Sequence, residues 1–228
     1  MPGGTWFTDV GVRDAIKLGV IEGPRILASS FSAFGTSLTS RPGAGTPTVR
    51  ESRILYVGSV FNRRHVVDLV HAFDLVADAI PDARLDLVGH NRSHPHLDLS
   101  GVIAASRFVD RIAAQDWVTE EALRDLHRRA SVFAFLSEYE GFGLTPLEAL
   151  ACGVPPVLLD TPVAREVCGD AALYVHHADP GPVATALRTL LTDADRRRTI
   201  LAAAPEVLAR YSWAECASRI LRILEDVV

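Results

Sequence analysis

From Arg53 onward the sequence alternates short apolar runs with segments of helical periodicity, and few architectures accommodate that alternation. The runs are "RILYVG" (53–58), "RLDLVG" (84–89), "RIAAQDW" (111–117), "SVFAFL" (131–136), "PPVLLD" (155–160) and a short "ALYV" (172–175). After the first run, Val66, Leu69, Val70, Phe73, Val76 and Ile80 recur at helical spacing. Helical patterns also cover residues 120–129, 146–152, 162–167 and 182–191. The segment 211–228 sets Trp213, Ile220, Leu224 and Val227 on one apolar face, so it should pack as a helix. Strands separated by helices have room for the crossovers that join parallel neighbours, and those crossovers are right-handed. The expectation is an α/β fold, a Rossmann-like parallel sheet with helices on both faces. Ligands of such open sheets bind beyond the carboxyl ends of the strands, where helix N-termini gather.

The stretch "TSRPGAGTPTVRES" (39–52) concentrates residues that favour turns and solvated backbone, and reads as a linker. Residues 1–50 are then a short N-terminal appendage and linker, and residues 51–228 the Rossmann-like domain. Within the appendage, "VRDAIKLGVIEGPRILASS" suggests a helix, a turn and a strand, too small a unit to bury a core alone. It weakly resembles an early segment of metal-dependent amidohydrolases but holds no histidine, so it is assigned no chemistry. The net charge of −5, with 23 scattered Lys and Arg, disfavours nucleic acid as a partner. Cys152, Cys168 and Cys216 are odd in number and widely spaced, which suits reduced, buried thiols and the cytoplasm. No apolar run reaches membrane-spanning length and residues 1–20 lack the order of a signal peptide. The expectation is a cytoplasmic protein with no integral membrane segment and at most peripheral membrane contact.

Residues 137–157, "SEYEGFGLTPLEALACGVPPV", admit two readings. In the first, Thr145 is a helix N-cap, Pro146 takes the first helical position, and Glu148 reaches back to complete a capping box. Glu140 is then an exposed loop carboxylate. In the second, the stretch is a ligand site at the end of the strand "SVFAFL". Two glycines let the backbone approach closely, and free N–H groups at the helix start favour an anion such as a diphosphate. Carboxylates on either side accept hydrogen bonds from sugar hydroxyls. The third glycine of a dinucleotide fingerprint and the Gly-Lys-Ser/Thr of a P-loop are both missing.

"SEYEGFGLTPLEALACGVPPVLLD" followed by "PVAREVCGDAALYV" resembles the nucleotide-sugar-binding, C-terminal half of retaining glycosyltransferases of the GT-B fold, over roughly residues 53–228. The resemblance rests above all on two glutamates separated by seven residues in this context. It implies that Glu140 contacts the donor sugar as the catalytic residue. It further implies that the backbone of Gly141, Phe142, Gly143 and Leu144 contacts sugar and diphosphate, and that Glu148 binds the donor ribose. In "YVGSVFNRRHV", Ser59 stands where the family commonly has arginine, and Arg63 or Arg64 replaces the family's diphosphate-binding lysine. Both arginines also read as solvated residues at the start of a surface helix. By the same resemblance Trp117 and Val118 border the nucleotide base, although core packing accounts for them equally well.

The donor implied is a nucleoside diphosphate sugar, transferred with retention to an acceptor the sequence does not identify, without metal or other cofactor. A GT-B enzyme reacts between two Rossmann-like domains, so the expected partner is an acceptor-binding domain on another chain or a second copy in a homodimer. A non-catalytic nucleotide-sugar-binding module is the alternative. In "HNRSHPHLD", His94 and His96 have the look of a metal pair near His90 and Asp98, but a polar loop lacks a rigid element to fix a coordination geometry. His176 and His177 read as surface residues, and Glu166 as a helix-capping group.

Overall fold

The computed structural model describes residues 50–225. The expected helix, turn and strand of the appendage lie outside the described residues, as does the linker up to residue 49. All six apolar runs form strands: β1 (Arg53–Val57), β2 (Arg84–Val88), β3 (Ile112–Gln115), β4 (Val132–Phe135), β5 (Pro156–Leu159) and β6 (Leu173–Val175). They make one sheet of order β3-β2-β1-β4-β5-β6, with every neighbouring pair parallel. Leu55 of β1 pairs with Asp86 of β2 on one side and with Phe133 of β4 on the other. A parallel sheet covered on both faces needs strands that are apolar throughout rather than alternating. β4 and β5 are entirely buried accordingly, whereas the edge strand β3 is mostly exposed.

The helices are α1 (Val66–Ala79), α2 (Leu99–Ala105), α3 (Glu120–Arg129), α4 (Leu144–Ala151), α5 (Pro162–Cys168), α6 (Pro180–Thr192), α7 (Ala194–Ala209) and α8 (Trp213–Glu225). The chain winds outward from β1 through β2 to β3, returns to β4, and winds outward the other way to β6. Right-handed crossovers therefore put α1 and α4 on opposite faces. α6 packs against α1, while α7 packs against α4 and α5. α1 buries Val66, Leu69, Val70, Phe73 and Val76, the face its periodicity marks.

Two helices are absent from the sequence reading. α2 has seven residues and buries only Leu99 among them, too little for a period to show. α7 buries only Ile200, Ala204 and Val207 and carries Pro205 in its interior, so its apolar stripe is narrow. α8 is helical as expected, but Ile223 and Leu224 face solvent, so its apolar side is not packed along its whole length. The three cysteines are free thiols; Cys168 is buried and the other two are half-buried. Among the described residues no helix is long and apolar enough to cross a membrane.

Candidate functional site

Strand order reverses between β1 and β4, and at such a switch point the loops leaving two adjacent strands part to open a crevice at their carboxyl ends. The loop after β1 carries Gly58 to His65, and the loop after β4 carries Leu136 to Gly143. A Cβ at Gly58 would sit 2.9 Å from Arg64 Nη1, so the missing side chain is what admits that guanidinium. A short 3-10 turn, Asn62–Arg64, then presents both arginines to the second loop.

Arg64 lies over the Phe135 ring, 4.9 Å from its centroid, and donates from Nε to Glu140 Oε1 at 2.6 Å and from Nη1 to the Ser59 carbonyl at 2.9 Å. Ser137 donates its hydroxyl to the same Glu140 oxygen at 2.8 Å. Arg63 donates to the Tyr139 carbonyl at 2.9 Å, lies over the Phe61 ring and stands 4.0 Å from Glu140 Oε1. Its side chain is 37% exposed against 12% for that of Arg64. Neither is a solvated group on a surface helix: both join residues 76 positions along the chain. The contacts to Glu140 all fall on Oε1, which leaves Oε2 as the carboxylate's available acceptor.

α4 starts two residues earlier than the capping-box reading suggests, and by different means. Its N-cap is Gly143, at φ 96° and ψ 63°, rather than Thr145. That backbone conformation favours glycine and offers no side chain to cap the helix. By contrast Asp98, Thr119, Thr161 and Asp193 each cap a helix through a side-chain oxygen. A Cβ at Gly141 would meet nothing within 4 Å, so packing leaves open space beside this helix start. The first amides of α4 are therefore without a side-chain cap, and the loop that leads into them carries Glu140, which both arginines approach.

Glu148 is not a capping-box residue. It sits more than a turn inside α4, is 1% exposed, and its Oε1 has no hydrogen-bond partner. Burial pushes its pKa up to about 8, so it holds a proton at neutral pH. Thr145, one turn earlier on the same side of the helix, has an equally buried hydroxyl without a partner. Native proteins pair nearly all buried polar atoms, and two orphans on one helix face call for a ligand or another explanation.

A shallow pocket between α4 and α5 is lined by Phe135, Ser137, Glu140, Phe142, Gly143 and Thr161. Phe142 is half-buried and meets Tyr211 edge-on at 5.1 Å, which fastens the loop tip to the segment before α8. Leu144 is half-buried at the first helical position. Trp117 follows β3, two strands away from β1, and is 68% exposed. Core packing thus does not explain Trp117, whereas Val118 does pack against the core. His94 and His96 are exposed, Asp98 is engaged as the cap of α2, and the described residues contain no group of three side chains able to hold a metal. Thr161, not Glu166, caps α5. Glu138 and His65 escape the sequence reading because they bond across loops far apart in the chain, and Ser137 because its bonds to Tyr139 and Glu140 depend on how its own loop folds.

A family model described as glycosyl transferases group 1 matches residues 44–207. O-antigen chain mannosyltransferase B of Escherichia coli is 25% identical over 229 residues, covering 93% of this chain and 57% of that protein. D-inositol 3-phosphate glycosyltransferase of Corynebacterium jeikeium is 36% identical over 199 residues, covering 82% of this chain and 46% of that protein. The chain spans about half the length of these curated relatives. Among solved structures, the pneumococcal O-GlcNAc transferase GtfA in complex with UDP and GlcNAc superposes with a TM-score of 0.67 at 20% identity, covering 84% of this chain and 38% of that one.

Proposed function

Since the chain belongs to the group 1 glycosyl transferases and has the Rossmann-like half of their GT-B fold, we propose that it binds a nucleoside diphosphate sugar at the carboxyl ends of β1 and β4. In this reading it is the donor half of a sugar transfer that retains anomeric configuration. The observation that carries it is Glu148: a carboxyl with an unpartnered buried oxygen, on a helix that has no side-chain N-cap and follows the loop whose Glu140 both arginines approach.

Each part of the ligand finds its chemistry there. The diphosphate takes the free amides at the start of α4 and the guanidinium groups of Arg63 and Arg64. Those same charges stabilise the departing diphosphate as the glycosidic bond breaks, so the transfer needs positioning more than a strong base. Glu140, held through Oε1, accepts a sugar hydroxyl with Oε2. Glu148 accepts the ribose hydroxyls, which favours its ionised form and releases the proton that burial makes it hold. Trp117, exposed beyond β3, is available to a base. An acceptor-binding domain completes the reaction site.

Isothermal titration against UDP, GDP, ADP and their sugar conjugates, without metal, tests this reading. Binding of one nucleotide, lost in Glu148→Ala, supports it. No binding by a folded chain returns the glutamates to architecture alone. Binding without transfer in the presence of every candidate acceptor domain leaves a non-catalytic module.

A further inference from the structure

The 3-10 turn that carries the two arginines ends on a residue that should not be there. His65 has φ 51° and ψ 36°, and it is the one non-glycine residue with positive φ among the described residues. A residue with a Cβ is disfavoured in that conformation, and no side-chain cap at the start of α1 compensates. Its ring supplies the compensation. Nδ1 lies 2.8 Å from Asp68 Oδ2, and Nε2 lies 2.9 Å from Glu138 Oε1. An ionised carboxylate can only accept, so two such partners require a proton on each ring nitrogen, the imidazolium form.

The partners belong to different parts of the site. Asp68 is in the first turn of α1, and Glu138 is on the loop after β4, so the ring spans the crevice. Beside it the Glu138 amide donates to the Arg63 carbonyl at 2.9 Å. One residue further on the Tyr139 carbonyl accepts from Arg63, and two residues on the Glu140 carboxylate accepts from Arg64.

We propose that His65 is a positioning residue for the donor site: its imidazolium ties the loop after β1 to the loop after β4 and so sets Arg63 and Arg64 against Glu140. This rests on the donor-site reading above. The charged groups facing the ring are Asp68 and Glu138, with Arg63 and Arg64 preceding it in the turn. Burial works against the charged ring, but its bonds to the two carboxylates outweigh that and hold its pKa above the ordinary 6.5. A raised histidine pKa makes the tie complete below the unfolded value and dissolves it as pH rises through the folded value. Donor binding should therefore weaken on the alkaline side. Because Glu138 is largely exposed, the loss is roughly threefold to tenfold.

The test combines histidine side-chain NMR with nucleotide titrations from about pH 5 to 9, a range that brackets histidine ionisation. Wild type, His65→Gly, His65→Gln and Glu138→Gln are compared, with UDP and GDP as probes. Glycine suits the left-handed backbone, so a merely structural role predicts that His65→Gly matches or exceeds wild type in stability and affinity. The tie predicts the reverse: His65→Gly binds more weakly at acid pH and converges with wild type at alkaline pH. Glu148 and the nucleotide titrate too, but equally in both proteins, so the difference between them isolates His65. In the NMR arm His65 should titrate above 6.5 and move down in Glu138→Gln. Titration at or below 6.5, or indifference to Glu138→Gln, would overturn the proposal. If no nucleotide binds any variant, the donor reading fails, and the tie is decided by the NMR titration and by hydrogen exchange of the Glu138 amide.

Discussion

At the amino ends of β1 and β2 a charged cluster has every member paired, while at the carboxyl ends of β1 and β4 another is left incomplete. In the first, Arg53 bonds Asp86 at 2.5 Å and Glu51 at 2.7 Å, and Arg129 bonds Glu51 at 2.6 Å. Nearby, the Arg50 guanidinium donates to the carbonyls of His127, Ala130 and Cys152, closing the C-terminal ends of α3 and α4. In the second, Arg64 and Glu140 are paired, yet the start of α4 has no cap and Glu148 and Thr145 keep unpartnered oxygens. A satisfied network holds a fold together. An unsatisfied one, kept in a helix that packs on the same core, costs stability and makes sense where a ligand completes it.

The comparison is sharpened by mutations that should separate stability from binding. The largest effect is expected at the amino end. Asp86→Ala removes one partner of a buried pair and should cost about 3 kcal/mol in chemical denaturation, with nucleotide affinity unchanged. A loss of affinity there would break the division between the two clusters.

Glu148→Gln should do the opposite. Its folded pKa of about 8 lies above the ordinary 4.5. The folded chain thus holds a proton that the unfolded chain has released, and the carboxyl costs stability increasingly as pH rises between those values. The variant should be more stable than wild type by roughly 2 kcal/mol at the alkaline end of that window, with the gap closing toward the acid end, and should lose nucleotide affinity. Lower stability at alkaline pH would mean that Glu148 has a protein partner.

The arginines should differ by degree. Arg64→Ala frees Glu140 as well as removing a charge, so nucleoside diphosphate affinity should fall about tenfold, and about threefold for the more exposed Arg63→Ala. Equal and negligible effects would remove both from the site. Smallest of all, Thr161→Ala should cost about 1 kcal/mol as a lost cap and leave binding intact.

The strands, most of the helices and the position of the glutamate loop were legible because apolar spacing records which face of an element is buried, and that is a local property. The site was legible only in its residue types. The same letters Thr145 and Glu148 spell a capping box and a pair of buried orphans. What separates the two is the left-handed Gly143, which starts α4 two residues early and turns both side chains inward. α2 and α7 escaped because too few of their residues are buried to impose a period.

The sequence by itself determined the alternation of strand and helix, hence a parallel sheet with its ligand edge at the carboxyl ends. It also placed Glu140 and two arginines on the loops of that edge and Glu148 in the helix that follows. Tertiary structure alone decided which of them are paired. Arg64 meets Glu140 across 76 residues, His65 meets Glu138 across 73, and Glu148 meets no partner that its Oε1 can use. The reason is physical: hydrophobic periodicity is written into neighbouring residues, whereas a polar atom's partner is chosen by which loops the strand order brings together.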